Sequence, residues 1–178
     1  MRSLLAFTLL LCTIQSAPAE EILARDPDHD YEAPAPGSYN LPIIKTAPDG
    51  ALLDSNGNSP RLRDLTHGRV TVLSFIYTRC AAPNACPYAT GVMSQLYRLS
   101  QEDAGLAKNL RLVSMSFDPE YDTPRRLALY AEAMREKKPS CEWHFATAKS
   151  RKDLESILAT YGQAVDCLLY TSPSPRDS

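Results

Sequence analysis

Val70-Thr71-Val72-Leu73-Ser74-Phe75-Ile76-Tyr77 runs directly into Thr78-Arg79-Cys80-Ala81-Ala82-Pro83-Asn84-Ala85-Cys86-Pro87. The first part is β-branched and aromatic with almost no polar interruption, the pattern of a central strand covered on both faces. In the second part Pro87 suits the first position of a helix, where the N–H it lacks would go unpaired anyway. The two cysteines cannot share a face of a regular helix, because positions i and i+6 lie roughly 600° apart around its axis. The segment between them is therefore a non-helical loop, as Pro83 also requires, and the whole stretch reads as strand, thiol-bearing loop and helix.

Downstream, Val92, Leu96 and Leu99 recur at spacings of four and three, which predicts an amphipathic helix from Pro87 to near Gly105. Leu110 to Phe117 is the next strand. Asp118-Pro119-Glu120-Tyr121-Asp122-Thr123-Pro124 then opens another helix, with Thr123 as N-cap, Pro124 as first helical residue, and Leu127, Tyr130, Ala131 and Met134 on one face. Trp143-His144-Phe145-Ala146 is a short apolar piece, and Leu154, Ile157, Leu158 and Tyr161 mark a third helix. Upstream, between Leu41 and Leu65, the turn signals Pro48-Asp49-Gly50 and Ser55-Asn56-Gly57-Asn58 predict hairpin-like structure. Alternating strands and helices argue for an α/β fold with a mostly parallel sheet, whose functional groups sit beyond the C-terminal ends of the strands. Cys80 and Asp118 both occupy such ends.

The flanks differ in character. Residues 1–19 read as an export signal, with Arg2 as the positive start, an apolar stretch from Leu4 to Ile14 and Ala17-Pro18-Ala19 as cleavage site. The apolar run is shorter than the roughly 20 residues that span a bilayer. If uncleaved, it would attach the protein to a membrane. Residues 20–38, rich in Pro, Ala and acid, read as a flexible linker, and the domain is expected over 39–166. The segment 167–178, from Cys167 onward, reads as the translation of a sequencing adapter and is expected to be disordered, which leaves the domain truncated. Such a fold is expected to be incomplete at its C-terminus and to expose apolar surface and an unpaired strand edge. The 178 residues hold 19 Lys+Arg against 21 Asp+Glu, a formal net charge of −2 that offers no basic patch for nucleic acid.

Of five cysteines, Cys12 leaves with the signal and Cys167 with the tail, so the domain offers Cys80, Cys86 and Cys141. Export places them where disulfides persist, and thiols that work as thiolates must be kept reduced there. Cys86, at or beside a helix N-cap, faces unpaired N–H groups and the positive end of the helix dipole, so a depressed pKa is expected for at least this thiol. The pair could exchange disulfides, bind a soft ion such as Cu(I), or simply staple the loop. Arg79 either stabilises the neighbouring thiolate or is merely solvated. Cys141 reads as a lone packing thiol.

The elements F-I-Y-T-R-C, C-P, S-M-S-F-D-P-E-Y-D-T-P and A-T-Y-G, between Tyr39 and Asp166, resemble the SCO/SenC family of copper chaperones for cytochrome oxidase assembly. That resemblance implies a thioredoxin-like fold, copper held by Cys80 and Cys86, which can also form a disulfide, and a third ligand, a histidine, in an H-S segment further along. Five residues separate the cysteines where most members have three. None of His29, His67 and His144 matches the family ligand, and His144 reads as a partly buried strand residue, so the third ligand is expected in the missing C-terminal segment. Asp118 and Asp122 match a D-x-x-x-D element of the family. Asp118 would shape a turn or lend negative charge and a partner surface to the site, and Asp122 would cap the helix. The resemblance further implies a periplasmic protein, or one on the periplasmic face of the inner membrane. Its partners would be a cytochrome c oxidase subunit or another copper acceptor, and a thiol reductant protein. The competing class is an exported thiol–disulfide oxidoreductase using Cys80 and Cys86 as attacking and resolving thiols. A peroxide-reducing enzyme has less to support it, since only Thr78 offers a hydroxyl in the loop.

Overall fold

The computed structural model describes residues 34, 35, 37–135 and 140–163. The expected signal, most of the linker and the expected adapter tail, with Cys12, His29 and Cys167, lie outside the described residues. The chain divides into two compact units, Met1–Ile43 and Ile44–Ser178. In the first, the described residues are exposed, and Ser38 donates from its N–H and hydroxyl to the Ala35 carbonyl.

The second unit runs β1 (Leu52–Asp54), α1 (Leu62–Thr66), β2 (Val70–Ile76), α2 (Cys86–Glu102), α3 (Ala104–Asn109), β3 (Leu110–Ser116), α4 (Pro124–Met134), β4 (Glu142–Ala148) and α5 (Arg151–Thr160). The sheet order is β1-β4-β3-β2. β2, β3 and β4 are parallel, with Ile76 opposite Ser116 and Ser116 opposite Thr147, and β1 joins β4 antiparallel. Alternation along the strands sends side chains to two apolar layers. Leu112, Trp143 and Phe145 pack with Met93, Tyr97, Leu127 and Ala131 of α2 and α4, while Val113, Met115 and Ala146 pack with Leu62, Leu65, Leu154 and Ile157 of α1 and α5. This is the mostly parallel α/β sandwich expected.

Three local expectations change. The hairpin between Leu41 and Leu65 is half formed: Leu52 and Asp54 donate to the carbonyls of Pro60 and Asn58, and the Asp54 carboxylate accepts from the N–H groups of Asn56 and Asn58. The returning arm then curls into α1 instead of forming a strand, so β1 finds its partner in β4. β2 is not central. It forms one edge of the sheet among the described residues, with Val70 69% exposed, and β3 is the strand covered on both faces. Finally, α2 buries Cys86, Thr90, Met93, Tyr97 and Ser100, while Val92 faces solvent.

Candidate functional site

β2 ends at Ile76, and the chain turns sharply, with the Cys80 N–H donating to the Tyr77 carbonyl at 3.0 Å. Ala85 is the N-cap of α2 and Cys86 its first residue, which moves Pro87 one position inward from its expected place. The non-helical loop thus folds back so that both thiols line one cleft, close enough for each to shift the acidity of the other. Both are free, Cys80 partly exposed and Cys86 buried. They lie at the C-terminal end of β2, on the sheet face covered by α2 and α4.

Their acidities are opposite to expectation. The Cys86 N–H, followed by the Ala82 N–H and the Cys86 thiol, is directed at the Cys80 sulfur, and together they hold the Cys80 pKa below its ordinary value against the opposing effect of burial. Cys86 is pushed up to about 11, first by burial and then by its contact with Cys80. The amides at the start of α2 do favour a thiolate, but they point at the residue that precedes the helix. Position on a helix was the wrong guide to the recipient, because the first side chain of α2 turns inward to the core.

A cleft of about 360 Å³ opens beside the pair, lined among others by Tyr77, Cys80, Thr90, Tyr130 and Met134. Thr90 Oγ1 and the Tyr130 hydroxyl, 2.8 Å apart, tie α2 to α4 across it. The loop is fixed from below by Asp122, which is fully buried. Its carboxylate accepts from the Thr78 N–H at 3.2 Å, the Thr78 hydroxyl and the Ser116 hydroxyl, joining the thiol loop, the end of β3 and the entry to α4. Asp122 therefore does not cap α4, and its role as a tether is the site feature that sequence reading missed. A clue lay in Thr123, which already supplies the N-cap residue and leaves the preceding carboxylate free for other work.

Asp118 does shape its turn: its carboxylate accepts from the Tyr121 N–H at 3.2 Å and its carbonyl accepts from the Asp122 N–H at 2.8 Å. It also pairs with Arg79, Nη2 to Oδ2 3.3 Å. Arg79 is thereby neither merely solvated nor dedicated to Cys80. Its guanidinium lies 3.9 Å from the centre of the Tyr121 ring and 5.0 Å from that of Tyr77. Cys141 is buried in the core, where its backbone N–H donates to Ser100 Oγ and burial raises its thiol pKa. His144 is a half-buried residue of β4, 3.2 Å from Glu142 Oε2, and the His67 carbonyl accepts from Arg111. Among the described residues no group of three or more His, Cys, Asp and Glu side chains could hold a metal ion.

The family model described as SCO1/SenC matches residues 45–165. A protein of Stutzerimonas stutzeri, named as a candidate copper-binding protein, is 33% identical over 95 residues, which are 53% of this chain and 44% of that one. The chain thus spans less than half the length of this curated relative. Among solved structures, a Sco family member described through its disulfide switch, and as one of the cytochrome c oxidase assembly proteins, is 25% identical with a TM-score of 0.56, covering 71% of this chain and 70% of that one. The copper-bound structure of ScoI from Arabidopsis thaliana is 23% identical, with a TM-score of 0.53 and 65% of each chain covered. The sheet order, the thiol loop at the end of β2 and the family match agree: the fold is thioredoxin-like, and the chain belongs to the SCO1/SenC family.

Proposed function

We propose that this protein is an exported copper metallochaperone that carries copper on Cys80 and Cys86 and delivers it to an acceptor in cytochrome c oxidase assembly. The observation that carries the reading is that two free thiols line one cleft, one of them with a lowered pKa. Thiolates are preferred ligands of a soft ion such as Cu(I), and a partly exposed pair can take up and release its cargo without unfolding. The family match and the copper-binding name of the Stutzerimonas relative support the same choice of metal. In this reading a histidine outside the described residues completes the site. Residues 1–19 direct export to the periplasm, with membrane attachment if they stay in place, and a thiol reductant protein keeps the pair reduced.

The test is a Cu(I) titration of the full chain under anaerobic conditions. One equivalent should produce thiolate-to-copper absorption in the wild type. Cys80→Ser and Cys86→Ser should each abolish it, and Cys141→Ser should leave it unchanged. Absorption retained in either of the first two variants refutes the ligand assignment.

The unequal acidities of the pair favour one second reading, a thiol–disulfide oxidoreductase in which Cys80 attacks and Cys86 resolves. A protein that reduces substrate disulfides catalytically and takes up no copper would decide for it.

A further inference from the structure

Between Leu65 and Gln101, a run that contains β2, the thiol loop and nearly all of α2, there is no Asp or Glu, although the whole chain carries a net charge of −2. The two carboxylates that fold brings beside the loop are both withdrawn from solvent. Asp118 is buried against Arg79 and the Tyr121 N–H, and Asp122 against Thr78 and Ser116. Exposed Glu120, at the next turn, is held by Arg151 at 3.1 Å. What the protein shows around Cys80 is instead an uncharged, largely apolar lip: Ala81, Ala82, Pro83 and Ala85 are exposed with Asn84 among them, and on α2 so are Tyr88 (67%) and Val92.

Positive charge stands at one edge of this lip. The Tyr121 ring lies between two guanidinium groups, with Arg79 Cζ at 3.9 Å and Arg126 Cζ at 3.7 Å from its centre. Two planar groups that close to one ring must take opposite faces. Arg126 also donates to the Tyr121 carbonyl at 2.7 Å, and Arg125 beside it is exposed. Asp118 pairs with Arg79, and among the described residues no carboxylate pairs with Arg126 or Arg125. Stacking fixes the guanidinium of Arg126 while leaving N–H groups free for a carboxylate. An apolar centre with Tyr and Arg at its edge has the composition of a protein-docking patch, whereas a merely solvated face would carry carboxylates as well.

We infer that the apolar lip around Cys80, with the Arg79–Tyr121–Arg126 stack at its edge, is the docking surface for a protein partner whose own thiol or copper site lies in an apolar patch rimmed by carboxylates. This rests on the proposed copper carriage and names the chemistry of the acceptor. The carboxylate rim would steer the encounter and set the approach to Cys80, and the lip would exclude water during transfer.

Two synthetic peptides with one common Cys-x-x-Cys pair and apolar neighbours serve as probes, one flanked by four glutamates and the other by four lysines. Copper-loaded full-length protein should transfer Cu(I) to the acidic peptide on the order of ten-fold faster at low salt, the ratio falling toward one as salt is raised. Arg126→Gln should shrink the ratio without changing copper stoichiometry, and Arg126→Glu should shift the preference toward the lysine peptide. Equal rates, or a ratio untouched by both variants, overturn the inference. If the protein takes up no copper, it is the copper reading that fails, and docking is then measured with the disulfide forms of the same peptides. In that arm the Cys80 thiolate attacks one peptide sulfur and releases the other as a thiol. Cys86 then displaces the peptide, which leaves reduced while the protein ends as the disulfide. The same charge preference must appear in these rates, and its absence overturns the docking surface independently.

Discussion

Removing the Asp122 carboxylate should loosen the thiol loop and cost a measurable part of the fold's stability. The side chain is fully buried and serves three donors, the Thr78 N–H, the Thr78 hydroxyl and the Ser116 hydroxyl. In Asp122→Ala the two hydroxyls can rotate toward other acceptors, whereas the amide of Thr78 is fixed by the backbone. A stranded buried donor costs about 1–3 kcal/mol, and bonds to a charged acceptor exceed neutral ones, so the loss should be about 3 kcal/mol. Asp122→Asn should cost only about 1–2 kcal/mol. Its amide group can take the position facing the Thr78 hydroxyl, which turns to accept, while its oxygen still serves the Thr78 N–H and the Ser116 hydroxyl. Denaturant unfolding of the two variants gives the comparison directly. A glutathione redox titration of Cys80 and Cys86 supplies a second readout, because a loosened loop lowers the effective concentration of one thiol toward the other. An Ala variant within about 0.5 kcal/mol of wild type, or an Asn variant as costly as Ala, would refute the tether.

Among the described cysteines, limited alkylation near neutral pH should label Cys80 first, with Cys86 and Cys141 slow until denaturant is added, since Cys80 is the partly exposed thiol whose pKa is lowered. Cys86 imposes a high-pH limit: its folded pKa of about 11 stands above the ordinary 9, so the unfolded chain loses this proton first and stability should fall as pH rises between those values. Cys80 acts in the opposite sense below that window, where its lowered pKa adds stability as pH rises toward 9. Urea midpoints measured from pH 8 to 11 should therefore decline in the upper part of the range for the wild type and decline less steeply in Cys86→Ala, where Cys141, Tyr130 and Tyr161, all raised by burial, still contribute. Gly50→Ala should destabilise by about 1–3 kcal/mol, because its Cβ would stand 2.7 Å from Ile157 Cδ1 in the core, and a variant of unchanged stability would show that α5 can yield there.

Much of the fold was legible because its long elements carry strong patterns. The apolar spacing Leu127, Ala131 on α4 and Leu154, Ile157, Leu158 on α5 appears as buried faces, and Thr123-Pro124 opens α4. Reading failed where polar groups occupy the buried side. On α2 the apolar series Val92, Leu96, Leu99 competes with a face that contains Thr90 and Ser100, whose hydroxyls are satisfied by Tyr130 and the Tyr97 carbonyl. A periodicity that counts only apolar residues cannot see such a face. α1, five residues long, is too short to show a period at all. The edge position of β2 was hidden for another reason: a β-branched run reports affinity for the strand conformation, while cover on each face depends on elements remote in sequence.

The site divides in the same way. Spacing and residue type sufficed to bring Cys80 and Cys86 together, because a proline-bearing loop between a strand end and a helix start has few ways to fold. Which thiol becomes the acid could not be read from helix position, since it depends on where two backbone amides point. The N–H of Cys86 serves the sulfur of Cys80, and the thiol of Cys86 turns into the apolar layer with Met93 and Tyr97. Placing the reactive thiol on the loop and the unreactive one under the helix has a chemical consequence. In the proposed function a cargo ion or a partner's sulfur would reach Cys80 first, and engagement of Cys86 would require loss of a proton that burial opposes. Binding of a thiophilic ion supplies the driving force for that loss, so both-thiol coordination is coupled to proton release. In the proposed chaperone Asp122 would then matter to transfer as well as to stability, because it holds the turn that carries Cys80.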